Sequence, residues 1–102
     1  MRQFDVLTPV ARTSRHPFVV VLQHDQSAGG ATIIVAPCIA ADDGPRTQRL
    51  TPLVEIKGKP YRVIVPELAA IATKTVSSSP VANLALHRDA FTAAIDLLFT
   101  GI

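Results

Sequence analysis

The stretch RHPFVVVLQHD, residues 15 to 25, holds the densest set of groups able to do chemistry. Arg15 and His16 stand at one end of an apolar run, His24 and Asp25 at the other. A ribonuclease that works without a metal needs a base for the 2′-hydroxyl and cations for the phosphate. Histidine and arginine supply both. The plain reading is a loop, a strand and a loop with ordinary polar ends. The three histidines, at 16, 24 and 87, fall in separate elements with no second ligand at metal spacing, so no metal site is expected. Asp42-Asp43 beside Gly44 reads as a solvated turn. Phosphate-loop, dinucleotide and nucleophile-elbow signatures are all missing. No cofactor is expected.

Two further groupings stand out. Lys57, Lys59 and Arg62, with Arg46 and Arg49 upstream, make a basic region around a predicted hairpin. Only Tyr61 accompanies it, so a stacking platform for single-stranded nucleic acid is weakly supported. Protection of a sheet edge by lysine accounts for it better. The other grouping is the ending, DLLFTGI, Asp96 to Ile102, where an apolar segment runs almost to the last residue. A helix ending here favours Lys or Arg in its last turn, yet Asp96 lies there and no basic residue follows Arg88. Departures of this kind cluster at functional surfaces.

The elements that position these groups follow from periodicity and turn chemistry. A length of 102 residues suits a single domain spanning 1–102, and 48% hydrophobic against 18% charged residues suits a packed core. Net charge is +2, which permits but does not require an acidic partner. No signal peptide or membrane span is expected, the densest apolar stretch being broken by Pro37. The lone Cys38 has no disulfide partner, and the cytoplasm is the expected compartment.

Strands are predicted at Gln3–Leu7, at Phe18–Leu22 and over ATIIV, where Pro37 is expected to end the third. Leu53–Ile56 and Tyr61–Val65 read as hairpin arms joined by Lys57-Gly58-Lys59-Pro60. PELAA reads as a helical turn opened by Pro66 and IATKTV as a last strand. A helix is predicted from about Pro80 to Phe99, with Ser79 as its cap. Leu84, His87, Phe91, Ile95 and Leu98 form its buried stripe. Asp89, Thr92, Ala93, Asp96 and Thr100 lie opposite. Five or six short strands and one helix make a mainly β protein, a small twisted barrel with a C-terminal α-helix.

The order and spacing of QFDV, SRHPFVVV, IIVAPCIAA, LTPLVEI…YRVIVPELAAI, LALHRDAFTAAIDLLF and the final Gly-Ile resemble the CcdB-type toxins of bacterial type II toxin–antitoxin pairs, over nearly the whole chain. The resemblance implies an SH3-like barrel of the kind CcdB and MazF share. It also implies a homodimer whose helix ends lie near the dimer axis. Such toxins are not enzymes; they bind the A subunit of DNA gyrase and trap its cleaved-DNA complex. They meet DNA only through gyrase or through the toxin–antitoxin complex, and they serve plasmid maintenance or stress responses. A CcdA-like antitoxin removes them with a disordered C-terminal segment.

By the same resemblance the gyrase-binding residues are Asp96, Thr100, Gly101 and Ile102. Three departures fall on that surface. The family pattern ends in Trp-Gly-Ile, and Thr100 stands in place of the tryptophan. Asp96 stands in place of a neutral amide, and the polar QHDQS replaces apolar residues. The resemblance thus implies a retained scaffold, dimer and antitoxin recognition, with gyrase poisoning weakened, lost or redirected. RHPFVVVLQHD is also similar to the Arg-Pro-apolar strand opening of MazF-type endoribonucleases on the same fold. A non-toxic copy that only captures antitoxins is the third reading.

Overall fold

The computed structural model describes residues 1–11, 16–25, 30–43 and 48–101. Its strands are β1 (Asp5–Leu7), β2 (Phe18–Val21), β3 (Thr32–Ala40), β4 (Leu53–Ile56), β5 (Lys59–Val63), β6 (Ala69–Ala72) and β7 (Ala82–Asn83). They form one antiparallel sheet in the order β4-β5-β3-β2-β1-β7, with β6 also paired to β3. The sheet curls into a nearly closed barrel followed by the helix α1 (Arg88–Thr100). A mainly β fold with a C-terminal helix is therefore what the chain adopts.

Pro37 does not end its strand. β3 continues through it to Ala40, because the missing N–H faces a gap. On one side β3 pairs β2 from Val35 to Cys38, Val19 lying opposite Pro37. On the other side it pairs β6 up to Val35 and β5 from Cys38 onward. The Pro37 carbonyl accepts the Ile64 N–H at 2.9 Å on that second side. N–H and C=O of one strand residue point the same way, so no β2 ladder bond is lost.

The hairpin is tighter than predicted. β5 starts at Lys59, leaving Lys57-Gly58 as the whole connection, with φ of 53° and 79°. Two left-handed residues in succession are the signature of a type I′ turn, whose twist matches that of the flanking strands. The helical turn expected in PELAA appears as a 3₁₀ turn at Val65–Glu67, and IATKTV splits into the end of β6 and a second 3₁₀ turn, Thr73–Thr75. The first strand begins at Asp5 rather than Gln3.

The largest difference is where the helix begins. Residues 80 to 84, predicted helical, instead cover the outer edge of β1, with Asp5 opposite Asn83 and Val6 opposite Ala82. The Val81 and Leu84 N–H groups donate to the Val6 and Phe4 carbonyls, both at 2.9 Å. An unpaired strand edge beside β1 offers these groups more than a frayed first helical turn does. A 3₁₀ turn, Ala85–His87, then leads into α1. Ser79 does not cap it; Leu84 stands at the cap position, and Asn83 Oδ1 accepts the Ala85 N–H at 2.9 Å just before the turn.

The core joins the barrel interior to one face of α1. Phe4 and Phe91 stack with ring centroids 5.2 Å apart, and both are buried. Phe4 has φ of 68°, unfavourable for a bulky residue. Its N–H donates to the Val21 carbonyl at 2.7 Å, and its carbonyl accepts from Leu84, so pairing on both sides holds the conformation. Cys38 lies in the same core, and burial pushes its thiol up from the ordinary 9.0 to about 12. The unfolded thiol ionises near 9 while the folded one stays protonated, so the unfolded state loses the proton first. Its contribution to stability is whole below pH 9 and is lost as pH climbs from 9 toward 12. Denaturant melts across that window should show wild type losing up to about 1.4 kcal/mol per pH unit more than Cys38→Ala. Parallel pH profiles would contradict this.

Candidate functional site

Residues at the start of β1 and α1 tie the N-terminal region to the barrel. The Gln3 N–H donates to Asp25 Oδ1 at 2.6 Å, and Gln3 Nε2 donates to the Leu22 carbonyl at 3.0 Å. Asp5 is buried, and its carboxylate accepts from the Arg2 N–H and from Asn83 Nδ2. Arg88 lies 5.0 Å above the Phe4 ring and donates to Gln3 Oε1. Asp25 is thus a clasp for the N-terminal segment. His16 precedes β2, whereas His24 and Asp25 follow it, so the strand holds these groups at opposite ends of the sheet. Arg15 lies outside the described residues. Among the described residues no cluster of His, Cys, Asp or Glu could hold a metal ion.

The basic region divides in the same way. Lys57 and Lys59 sit at the turn end of the β4–β5 hairpin, and β4 is a terminal strand of the sheet. That is where lysines discourage further strand pairing. Arg49 and Arg62 lie instead beside α1. Arg46 lies outside the described residues.

The helix presents its two faces as its periodicity requires. Phe91 and Ala94 are buried, and Ile95, Leu97 and Leu98 are half-buried. Asp89, Thr92, Ala93, Asp96 and Thr100 are exposed. At the far end Asp96 and Thr100 meet one turn apart, the Thr100 hydroxyl donating to the Asp96 carbonyl at 2.6 Å. Gly101 closes the helix in the left-handed region, φ 75°, and its N–H donates to the Leu97 carbonyl at 3.0 Å. Glycine suits this cap because it has no Cβ to clash. No basic residue occupies the last turn. Asp96, Thr100 and Gly101 therefore form one solvent-facing tip, and Ile102 lies outside the described residues.

Phe99 belongs to the same end and was not singled out by the sequence reading. It is 67% exposed. Its neighbours across a cleft of about 200 Å³ are Leu22, Ile34, Leu68 and Ile95. The available signal was its offset by one position from the stripe that ends at Leu98.

The structure is thus a small antiparallel barrel with one C-terminal helix, whose tip combines an exposed Phe99 with the left-handed Gly101 cap. The family model described as CcdB protein matches residues 3–101, leaving out only Met1, Arg2 and Ile102. The chain belongs to the CcdB family, toxin–antitoxin proteins that inhibit DNA gyrase rather than catalyse a reaction. Membership implies an antitoxin and gyrase as partners. A search of curated proteins found no match. No helix among the described residues is long and apolar enough to cross a membrane.

Proposed function

We propose that this chain is the toxin of a type II toxin–antitoxin pair, acting in the cytoplasm as a homodimer that engages the gyrase A subunit through the tip of α1. The observation that carries this reading is the exposed, capped tip formed by Asp96, Thr100 and Gly101, with Ile102 as the fourth contact by family resemblance. Thr100 stands where the family pattern has tryptophan, and its hydroxyl is already bonded to the helix. The tip therefore offers gyrase little apolar area, and Asp96 adds a charge one turn away. The scaffold and antitoxin recognition are retained while poisoning is weak.

Titration of the gyrase A subunit with purified protein tests the assignment. Wild type is expected to bind weakly and Thr100→Glu not at all, because the added carboxylate stands beside Asp96 at the negative end of the helix. Equal binding by both would move the contact off the tip. No binding by either, nor by Asp96→Asn, would remove gyrase as the target.

The dimer rests on the cleft beside Phe99. A small domain gains by covering such a face, and Ile34 and Phe99 remain open in the single chain. Sedimentation should find wild type dimeric and Phe99→Glu monomeric at the same concentration, with unchanged circular dichroism. A monomeric wild type, or a dimer that tolerates Phe99→Glu, would count against it.

A further inference from the structure

Successive residues of β2 face opposite ways. Phe18 and Val20 join the core that packs α1, while Val19 and Val21 belong to a smaller apolar cluster with Leu7, Ile33, Val35 and Val76. A cleft of about 500 Å³ opens onto that smaller cluster. Val19, Ile71 and Val76 line it from the cluster, and Pro9 and Val10 line it from the segment after β1. Val10 is 75% exposed, so this apolar wall stands open to water. The walls are pinned to each other. Pro9 lies opposite Val76 in an isolated antiparallel bridge. The Val10 N–H donates to the Thr75 carbonyl at 2.8 Å, and the Ser77 N–H to the Thr8 carbonyl at 2.9 Å. Lys74 also lines the cleft, from the 3₁₀ turn Thr73–Thr75. That turn is held at both ends: the Thr73 hydroxyl donates to the Ala31 carbonyl at 3.2 Å and the Thr75 hydroxyl to the Ala72 carbonyl at 2.6 Å. The cleft is therefore formed before anything enters it.

We propose that this cleft binds one small amphiphilic anion, an alkyl carboxylate, with its chain against Val10, Val19 and Ile71 and its headgroup at Lys74. Small-molecule sites are concave, mostly apolar and of roughly 300–1,000 Å³, with a few polar groups that fix orientation. This cleft has that size and that division of labour. Among the described residues that line it, Lys74 carries the only charge and no carboxylate is present. The polar end of the occupant is therefore an anion, and the rest of it is hydrocarbon. Burial of the chain supplies most of the affinity. Lys74 is exposed, so its pairing adds a smaller part and sets which way the chain lies. A lipid surface fits less well, because a membrane is gripped by several basic residues together and this lining offers one. The cleft shares no lining residue with the one beside Phe99, and the inference does not depend on the function proposed above.

The test is an NMR titration of the whole protein with decanoate, kept below its micelle concentration, and in parallel with decanol and decyltrimethylammonium. Decanoate is expected to saturate, with amide shifts centred on Val10, Ile71, Lys74 and Thr75. Decanol should bind about fivefold less well, and the cation less well again. Lys74→Gln should bring decanoate down to the level of decanol and leave decanol unchanged. Val10→Asp should abolish decanoate binding by placing a carboxylate on the apolar wall. Both positions are exposed, so circular dichroism should stay as in wild type. Unsaturable binding, shifts centred elsewhere, equal binding of decanoate and decanol, or indifference to Lys74→Gln would each overturn the proposal. The same shifts on concentrating the protein without ligand would assign the cleft to a second copy and overturn the choice of a small molecule. Co-sedimentation with anionic phospholipid vesicles that Lys74→Gln abolishes would overturn the choice of a free molecule over a lipid surface.

Discussion

If α1 engages gyrase through its tip as proposed, Thr100→Trp is expected to strengthen gyrase poisoning sharply. Thr100 is exposed, so the larger side chain displaces nothing in the core. The substitution gives up one bond, the Thr100 hydroxyl to the Asp96 carbonyl, which is local to the helix and of little weight for folding. In exchange the tip acquires an aromatic face, the side-chain type that dominates interface hot spots. A gained hot spot is worth about 2–4 kcal/mol, a rise in affinity of roughly thirtyfold to a thousandfold. A plasmid cleavage assay with gyrase reads this directly. Wild type should give little linear DNA, and Thr100→Trp should give it at far lower protein concentration. Asp96→Asn added to Thr100→Trp should raise the signal further by removing the adjacent charge. If Thr100→Trp leaves both affinity and cleavage where wild type has them, the helix tip is not the gyrase contact in this chain.

The second large effect is structural. Phe91→Ala is expected to destabilise the fold by about 3–5 kcal/mol. Phe91 is buried, stacks on Phe4 at 5.2 Å between centroids, and meets the His87 ring at 6.4 Å. Removing it leaves a cavity at the point where α1 meets the barrel. It also leaves Phe4 in an unfavourable backbone conformation without its main side-chain partner. A loss of that size is a large part of the total for a small domain. Urea denaturation followed by circular dichroism should show the midpoint falling sharply. Binding at the tip should weaken as well, because it depends on the seating of the helix. A loss below about 1 kcal/mol would mean that the helix is held elsewhere.

The two predictions draw on different kinds of legibility. The core face of α1 was readable because helical periodicity is a local signal: the part of the predicted stripe that lies in the helix, Phe91, Ile95 and Leu98, needs no knowledge of what packs against it. Ala94 was missed because a small residue carries little weight in such a pattern, although it is fully buried. The start of the helix was misplaced because Ser79-Pro80 satisfies the local rules for a helix opening. Nothing local reveals that the edge of β1, far back in the chain, lies open to Ala82 and Asn83. Pro37 misled for the same reason. Its cost depends on which neighbour its missing N–H faces, and that is a matter of sheet order.

The candidate site divides along the same line. Asp96 and Thr100 were expected on one face of a helix, and spacing alone places them there. The exposure of Phe99, the occupation of Asp25 by the Gln3 backbone and the pairing of Leu53 with Arg62 were not readable. The first two depend on segments distant in sequence, and the third on the two-residue turn that sets the hairpin's register.

By itself the sequence determined a mainly β chain with one amphipathic C-terminal helix. Alternation, turn residues and helical spacing act between near neighbours. The particular order of strands and turns was also enough to suggest the family. Only the tertiary structure decided which strand edges are covered and which apolar side chains remain open. Those outcomes depend on contacts between distant segments, and on desolvation that exists only once the barrel has closed.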